Sequence, residues 1–417
     1  MIQKIFLLTT KVSVLILFFL FILFCFAYTN NGKSIPFSFE NKTSISIFDV
    51  YSNEIVYFYK ERELLMPAST MKLVTSINAL SILGPYYIFD VKLFKINDGG
   101  ILISSNYNPS LIEEIIPDPY NFFKQSLRDV LLANKIEKIN KVYIDSSLPS
   151  VYPESWKIYE GEPFAPYLST FSFNQNMIKI QKKQNHFIIY PPVFDEIKDY
   201  KKISNLVSNL KEIDGAYWYI YPSSDEFNKK ILKKMFEEIG YDVKVELLQK
   251  WDFDNVEYLA SFPTATLLEC LKYQNHWSDN FVSQQIYNKL KYELKIDPNS
   301  IYSDFGVFVD DGCGLSRKNR ISSYFLAYLL AHLDDYGIIN YLCYTLPGYN
   351  EGTLERRDLP PTVKAKTGTL NDVSSLAGYV KSKSGKWYSF AIIYNGPNVY
   401  NAKLTEEKIL NYIYENW

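Results

Sequence analysis

The sequence predicts an α+β protein in which one antiparallel sheet is assembled from pieces far apart in the chain. Alternating apolar residues frame it at both ends. They run from Ser44 to Tyr59, broken at Tyr51-Ser52-Asn53-Glu54, and again through Ser374 to Val380 and Trp387 to Tyr394, broken at Lys383-Ser384-Gly385-Lys386. Between these ends, apolar residues recur at helical spacings in several segments.

A length of 417 residues suits two or three domains and a sizeable core. The chain is 47% hydrophobic and 22% charged, with 35 Tyr and 28 Phe, which is the composition of a folded protein. Its net charge is −2 and it has no Lys/Arg-rich run, so there is no electrostatic footprint for nucleic acid. Lys4 and Lys11 precede the apolar stretch Val12 to Tyr28, which reads as an export segment, either a signal peptide or a membrane anchor. Cys270, Cys313 and Cys343 show no metal spacing and no disulfide framework, although one bridge could form in an oxidising compartment. The only histidines, His186, His276 and His332, make no metal-binding pattern and leave few candidates for a Ser-His-Asp triad.

In chain order, the first alternating stretch predicts a β-hairpin. Pro67 to Gly84-Pro85 predicts a helix with Leu73, Ile77, Leu80 and Leu83 on its inner side. Phe89 to Ile96 and Ile101 to Ser105 flank Asn97-Asp98-Gly99-Gly100 as a second hairpin. A helical region over about 110–140, a strand at Lys141 to Asp145, and short strands with aromatic loops to about 215 follow. Ser223 to Gly240 predicts a capped amphipathic helix. A strand at Val256 to Leu259 precedes helices at Ala265 to Gln274, Phe281 to Leu290 and Ser322 to Leu333, and after the final strands Leu404 to Tyr414 predicts a closing helix.

Three short motifs carry chemistry. Ser69-Thr70-Met71-Lys72 opens the first helix, where residues three apart share a face, so the Lys72 amine can reach the Ser69 hydroxyl and take its proton. Backbone N–H groups at the helix start can stabilise the resulting oxyanion. An unperturbed lysine, with a pKa of about 10.4, is neutral in only roughly one molecule in a few thousand at pH 7. Burial or a second cation must therefore lower it, and Lys366 is the expected second cation. In Ser278-Asp279-Asn280, Ser278 can relay a proton to a leaving amine, and the Asn280 amide can hold a substrate carbonyl or the lysine amine. In Lys366-Thr367-Gly368-Thr369, the lysine and both hydroxyls can hold a carboxylate. Gly368 would let a substrate backbone approach the strand edge.

In this order the trio is a signature already described for β-lactamases and penicillin-binding proteins. The stretch from Ser69 to Ser278 is far longer than in a compact β-lactamase, which implies an insertion. With Asn108-Pro109-Ser110-Leu111, Ile144-Asp145-Ser146-Ser147, Ala165-Pro166-Tyr167, Asn174-Gln175-Asn176, Asp311 to Arg317, Gly352-Thr353-Leu354 with Arg357, and Ala377-Gly378-Tyr379, the chain resembles the penicillin-binding protein 4 type of D-alanyl-D-alanine carboxypeptidase/endopeptidase. Cys313 stands where the family commonly has serine, and Gln284 where an acidic residue often follows Ser-Asp-Asn.

The resemblance implies a β-lactamase/transpeptidase-like domain, an antiparallel sheet with helices on both faces, interrupted by an inserted, mainly β module. The expected layout is a signal peptide or anchor at 1–28, the first part of the domain at 29–91, the insert at 92–235 and the second part at 236–417. It implies a serine D-Ala-D-Ala carboxypeptidase or endopeptidase acting through an acyl-enzyme on Ser69, with peptidoglycan stem peptides as substrate and β-lactams as covalent inhibitors. Catalysis would fall to Ser69, Lys72, Ser278 and Asn280, with the backbone N–H groups of Ser69 and Thr369 as oxyanion hole. Lys366, Thr367, Gly368, Thr369, Asp145, Arg317 and Asn371 would bind substrate, without metal or organic cofactor. The site would be exported, periplasmic or extracytoplasmic, with residues 12–28 available to the inner membrane. Rival readings are a serine β-lactamase or esterase of the same superfamily, and a peptidoglycan-binding protein that does not hydrolyse.

Overall fold

The computed structural model describes residues 33–184, 186–194, 200–213, 215–333 and 337–417. The expected export segment lies outside them, and among the described residues no helix is long and apolar enough to cross a membrane. Thr43–Asp49 (β1) and Glu54–Tyr59 (β2) pair antiparallel as the expected hairpin. Its turn is held by the Asp49 carboxylate, which accepts from the Tyr51 and Ser52 amides at 2.9 and 3.2 Å. A single 3₁₀ turn, Ala68–Thr70, then leads into Met71–Ile82 (α1), which is buried from Met71 through Leu80.

The insert follows. Ile88–Ile96 (β3) and Ile101–Ser104 (β4) form the second hairpin. Pro119–Ala133 (α2) is capped by Asp118, and Lys141–Asp145 (β5) runs parallel to β4. The helical region expected over 110–140 thus shrinks to α2, since the chain before it turns back at Asp118, which stands at φ 48°. Met177–Lys183 (β6), His186–Tyr190 (β7), Tyr200–Val207 (α3), Glu212–Ile213 (β8) and Ala216–Ile220 (β9) build a small sheet in the order β7-β6-β9-β8. Ser224–Glu238 (α4) carries the expected Ser223 cap. Lys244–Leu248 (β10) then pairs with β5, and Val256–Thr266 (β11) with β3, completing a mixed sheet ordered β10-β5-β4-β3-β11. This sheet spans residues 88–266. The expected boundaries at 92 and 235 therefore cut through it, because its two outermost strands come from beyond the sequence that looked like an insert. The strand expected at 256–259 continues to Thr266 because it pairs with β3 along that length, interrupted by register shifts at Leu259 and Thr264.

Leu267–Trp277 (α5), with a reciprocal Thr266/Glu269 cap, and Asn280–Asn288 (α6) flank the second motif. Pro298–Ile301 (α7), Ser323–Ala331 (α8) and Ile339–Thr345 (α9) complete the helical region. Lys364–Leu370 (β12), Val373–Lys381 (β13) and Trp387–Asn395 (β14) precede the final helix, Val399–Asn416 (α10). The main sheet runs β12-β13-β14-β1-β2 with every neighbour antiparallel, so strands from the two ends of the chain meet at β14 and β1. Alternation sends Ala391 and Ile393 to one face, against α8, and Phe390 and Ile392 to the other, against α10. Helices thus cover both faces, as expected.

Candidate active site

Ser69 sits in the tight turn between β2 and α1, and that turn is held from three sides. Asn395 accepts from the Met66 amide at 2.8 Å and donates to the Met66 carbonyl at 3.0 Å. The Pro67 carbonyl accepts from Ser375 Oγ at 2.5 Å and from Thr70 Oγ1 at 2.7 Å. Ala68 stands at φ 47°, a conformation costing about 1–2 kcal/mol outside glycine, which these bonds sustain. Two glycines allow the neighbours to come this close. A Cβ on Gly314 would lie 1.8 Å from the Ala68 carbonyl oxygen, and one on Gly368 would lie 2.3 Å from Ser375 Oγ and 2.9 Å from the Ser69 amide. Gly368 therefore serves first to dock β12 on the Ser69 turn, a role that the substrate-approach expectation did not include.

Lys72 is completely buried, and its Nζ lies 3.0 Å from Ser69 Oγ, 2.6 Å from Asn280 Oδ1 and 2.8 Å from the Cys313 carbonyl. A neutral amine has two N–H donors and one lone pair. With Asn280 and Cys313 taking the donors, the lone pair is left for the Ser69 hydroxyl proton. Burial lowers the Lys72 pKa, opposed by the neighbouring Cys313, Asp311 and Asp279 groups. Asn280 is oriented in turn, since its Nδ2 donates to the Phe164 carbonyl at 2.9 Å.

Lys366, also completely buried, donates to Ser278 Oγ at 2.9 Å and to the Thr367 carbonyl at 2.8 Å. Ser278 caps α5 in the left-handed region, which turns its hydroxyl back toward β12. Burial pushes Lys366 well below the ordinary lysine range, and the Lys72 charge adds to this. Charge repulsion is reciprocal, so each ammonium disfavours the other, and burial is the larger cause at both lysines.

The loop Asp311–Arg317 crosses α1 and delivers the Cys313 carbonyl. Asp311 organises it by accepting from Gly314 N and Asn319 Nδ2 on one oxygen and from Ser316 N and Trp156 Nε1 on the other, all at 2.7–2.8 Å. Gln284 Oε1 accepts from the Gly312 amide at 2.9 Å, work that an amide does as well as a carboxylate. Only the backbone of Cys313 reaches Lys72, so the exchange of serine for cysteine leaves the contact intact; burial pushes its thiol pKa up.

Ser69, Ser278, Asn280, Thr369, Arg317 and Asn371 border one cleft of about 390 Å³, with Lys72 and Lys366 buried beneath it. Thr367 Oγ1 donates to Thr353 Oγ1 at 2.8 Å beside it. Arg317 is held by Asp372, with Nη2 at 2.8 and 2.6 Å from the two oxygens. The β12 edge is covered by Pro347-Gly348 only at Lys364 and Ala365. Asp145, expected to bind substrate, stands apart from the cleft. It is only 4% exposed, inside the insert, and its carboxylate accepts from Ser104, Ser147 and Trp251 at 2.7–3.0 Å, so it does not border the cleft. Tyr159, Phe164 and Leu315 also line the cleft and were not anticipated. Phe164 adjoins the recognised Ala165-Pro166-Tyr167, the one signal that pointed near it.

A buried lysine amine against a serine hydroxyl, with a second Lys–Ser pair beside it, is an arrangement able to carry out serine acyl transfer with an amine as base. The chain matches the D-Ala-D-Ala carboxypeptidase 3 (S13) family over residues 38–185 and 217–414, and it belongs to that family. It is 21% identical, in an alignment 406 positions long that covers 84% of each chain, to the D-alanyl-D-alanine carboxypeptidase DacB of Haemophilus influenzae. Its fold is similar to penicillin-binding protein 4 (dacB) of the same organism, with TM-score 0.68 and 19% identity over 89% of this chain and 96% of the other. It is also similar to the penicillin G acylated predatory endopeptidase Bd3459 of Bdellovibrio bacteriovorus, with TM-score 0.52 and 18% identity over 89% and 92% of the two chains.

Proposed function

We propose that the protein hydrolyses peptides ending in D-Ala-D-Ala in peptidoglycan through an acyl-enzyme on Ser69, and that β-lactams acylate the same oxygen. The observation that carries this reading is the Lys72 amine, buried and committed on two sides, 3.0 Å from Ser69 Oγ. Lys72 takes the hydroxyl proton and Ser69 attacks the penultimate carbonyl, while the backbone N–H groups of Ser69 and Thr369 stabilise the oxyanion. Ser278, held by Lys366, passes its proton to the departing D-alanine and is reprotonated with the proton that Lys72 took from Ser69, so the amine leaves neutral and Lys72 is again a base for the water step. The terminal carboxylate binds to Lys366, Thr367 and Thr369, and Arg317 and Asn371 contact the rest of the peptide at the cleft wall. Water then releases the acyl group.

Membership in a cell-wall peptidase family supports an extracytoplasmic site of action, with residues 12–28 as the export segment and a periplasmic address. The pairing of β3 with β11 supports an inserted module of about residues 88–266.

Labelling with a fluorescent penicillin, followed by mass analysis of digested peptidoglycan, tests the reading. The chain should take one label, Ser69→Ala none, and the products should lose D-alanine or a cross-link. Rapid release of hydrolysed penicillin would reassign the site as a β-lactamase. An unlabelled parent chain would reduce it to a wall-binding protein.

A further inference from the structure

Asn174-Gln175-Asn176, one of the stretches behind the family resemblance, has no part in the chemistry above. Yet all three residues stand at positive φ, 46°, 56° and 57°, and all three are buried. The cost is about 1–2 kcal/mol for Gln175 and smaller for the two asparagines, and a run of three persists only where its neighbours over-determine it. They do so here. The Asn174 amide donates to Leu111 O at 2.8 Å, Asn176 Nδ2 donates to Tyr167 O at 2.8 Å, and Asn228 Nδ2 of α4 donates to Asn176 Oδ1 at 2.8 Å.

The turn delivers the Gln175 side chain across the boundary between insert and main domain, where Nε2 donates to Asp279 Oδ2 at 3.2 Å. Asp279 stands between Ser278 and Asn280, the partners of Lys366 and Lys72. Its other oxygen caps α6, accepting from the Val282 amide at 2.7 Å. The insert grips α6 a second time one turn on, where Gln285 Nε2 donates to Ser169 O at 2.9 Å and Ser172 Oγ at 3.1 Å.

The groups facing the Asp279 carboxyl come from every element packed on it: Lys72 of α1, Glu114 before α2, Tyr273 of α5, the Val282 amide and Gln175. Glu114 is itself paired with Lys179 of β6 at 3.1 Å. Burial raises the carboxyl to about 6, while the Val282 amide, Lys72 and Gln175 pull it down. A protonated carboxyl is a weaker cap for α6 and frees the chain on either side of it.

We propose that Gln175 is a positioning residue through which the insert keeps Asp279 ionised, holding Ser278 and Asn280 against the two lysines. This rests on the acyl-transfer reading above. The test is the second-order rate constant for penicillin acylation of Ser69 from about pH 5 to about 9. It is measured in the parent chain and in Gln175→Met, Gln175→Gly and Asp279→Asn, with melting midpoints for each.

Besides the acid-side loss from protonation of the Lys72 base, the parent should show a step from Asp279 that Asp279→Asn removes. Gln175→Met loses the donor and should move the step up by about one pH unit, a severalfold loss near pH 6 that shrinks above pH 8. Gln175→Gly accepts the positive φ without strain, so it should keep or raise the melting midpoint while shifting the step like Gln175→Met. If both variants retain the parental step, or lose acylation equally at every pH, Gln175 only supports the fold and the proposal is overturned. A parent chain that takes no label at any pH overturns the acyl-transfer reading itself, and this proposal with it.

Discussion

Gly368 has no room for a side chain, because the space a Cβ would fill is occupied by Ser375 Oγ, the Pro67 carbonyl and the Ser69 amide. Gly368→Ala should push β12 off the Ser69 turn. We expect acylation to fall about 10²-fold, since a displacement near 1 Å suffices for that, together with a loss of about 1–3 kcal/mol in urea stability. Normal acylation by this variant would mean that the docking of β12 does not set the site. Lys366 makes a prediction of opposite character. Its native pKa lies below the ordinary value, so between the two the unfolded chain binds a proton that the native chain does not. Stability therefore rises with pH through that window, up to about 10.4, and is lost as pH falls through the native pKa. Lys366→Met should flatten the rise seen in urea midpoints, and an unchanged slope would contradict the lowered pKa. The motif residues were readable because three short motifs, each common alone, occur together in the order of a described signature. Asp145 misled because a carboxylate in a recognised stretch says nothing about whether its oxygens are already engaged.

At the scale of elements, α10 is tied to the site by a buried ionic cluster. Arg357 donates to Glu407 through Nε and to Glu406 at 3.0 Å, while Ser374 of β13 donates to Glu406 at 2.7 Å. The cluster anchors the Gly352–Leu354 turn, whose Thr353 accepts from Thr367. Arg357→Ala would strand Glu406, only 1% exposed, without its cation. Such a loss is worth about 3–5 kcal/mol, to be read from denaturant midpoints. A change below about 1 kcal/mol would mean that water or another group replaces Arg357. Hairpins and long amphipathic helices were legible because period and turn chemistry are local properties. The short helix α9, and the seven further residues of β11 beyond the expected strand end, were not, because their stability comes from partners distant in sequence.

For the whole molecule, two large apolar cores hold the domain and its insert, and one smaller core lies under α10. Cys270, Cys313 and Cys343 are unpaired, the first two fully buried, so no cross-link among them contributes. Adding reductant should leave the melting midpoint unchanged, and these thiols should react with a disulfide reagent chiefly after denaturation. Burial raises the Cys343 pKa to about 11, which slows even the least buried of them. A midpoint that drops on reduction would reveal a bridge. Residue order alone carried the α+β class and the two-ended sheet through local period, and the serine, the lysines and the asparagine of the candidate site through the three motifs in their order. The folded chain was needed to show that burial lowers the Lys72 pKa, that Asp145 is spent inside the insert, and that Gln175 reaches Asp279. Desolvation and hydrogen-bond partnership are properties of the surroundings, and for each of these groups the surroundings include a segment a hundred or more residues away.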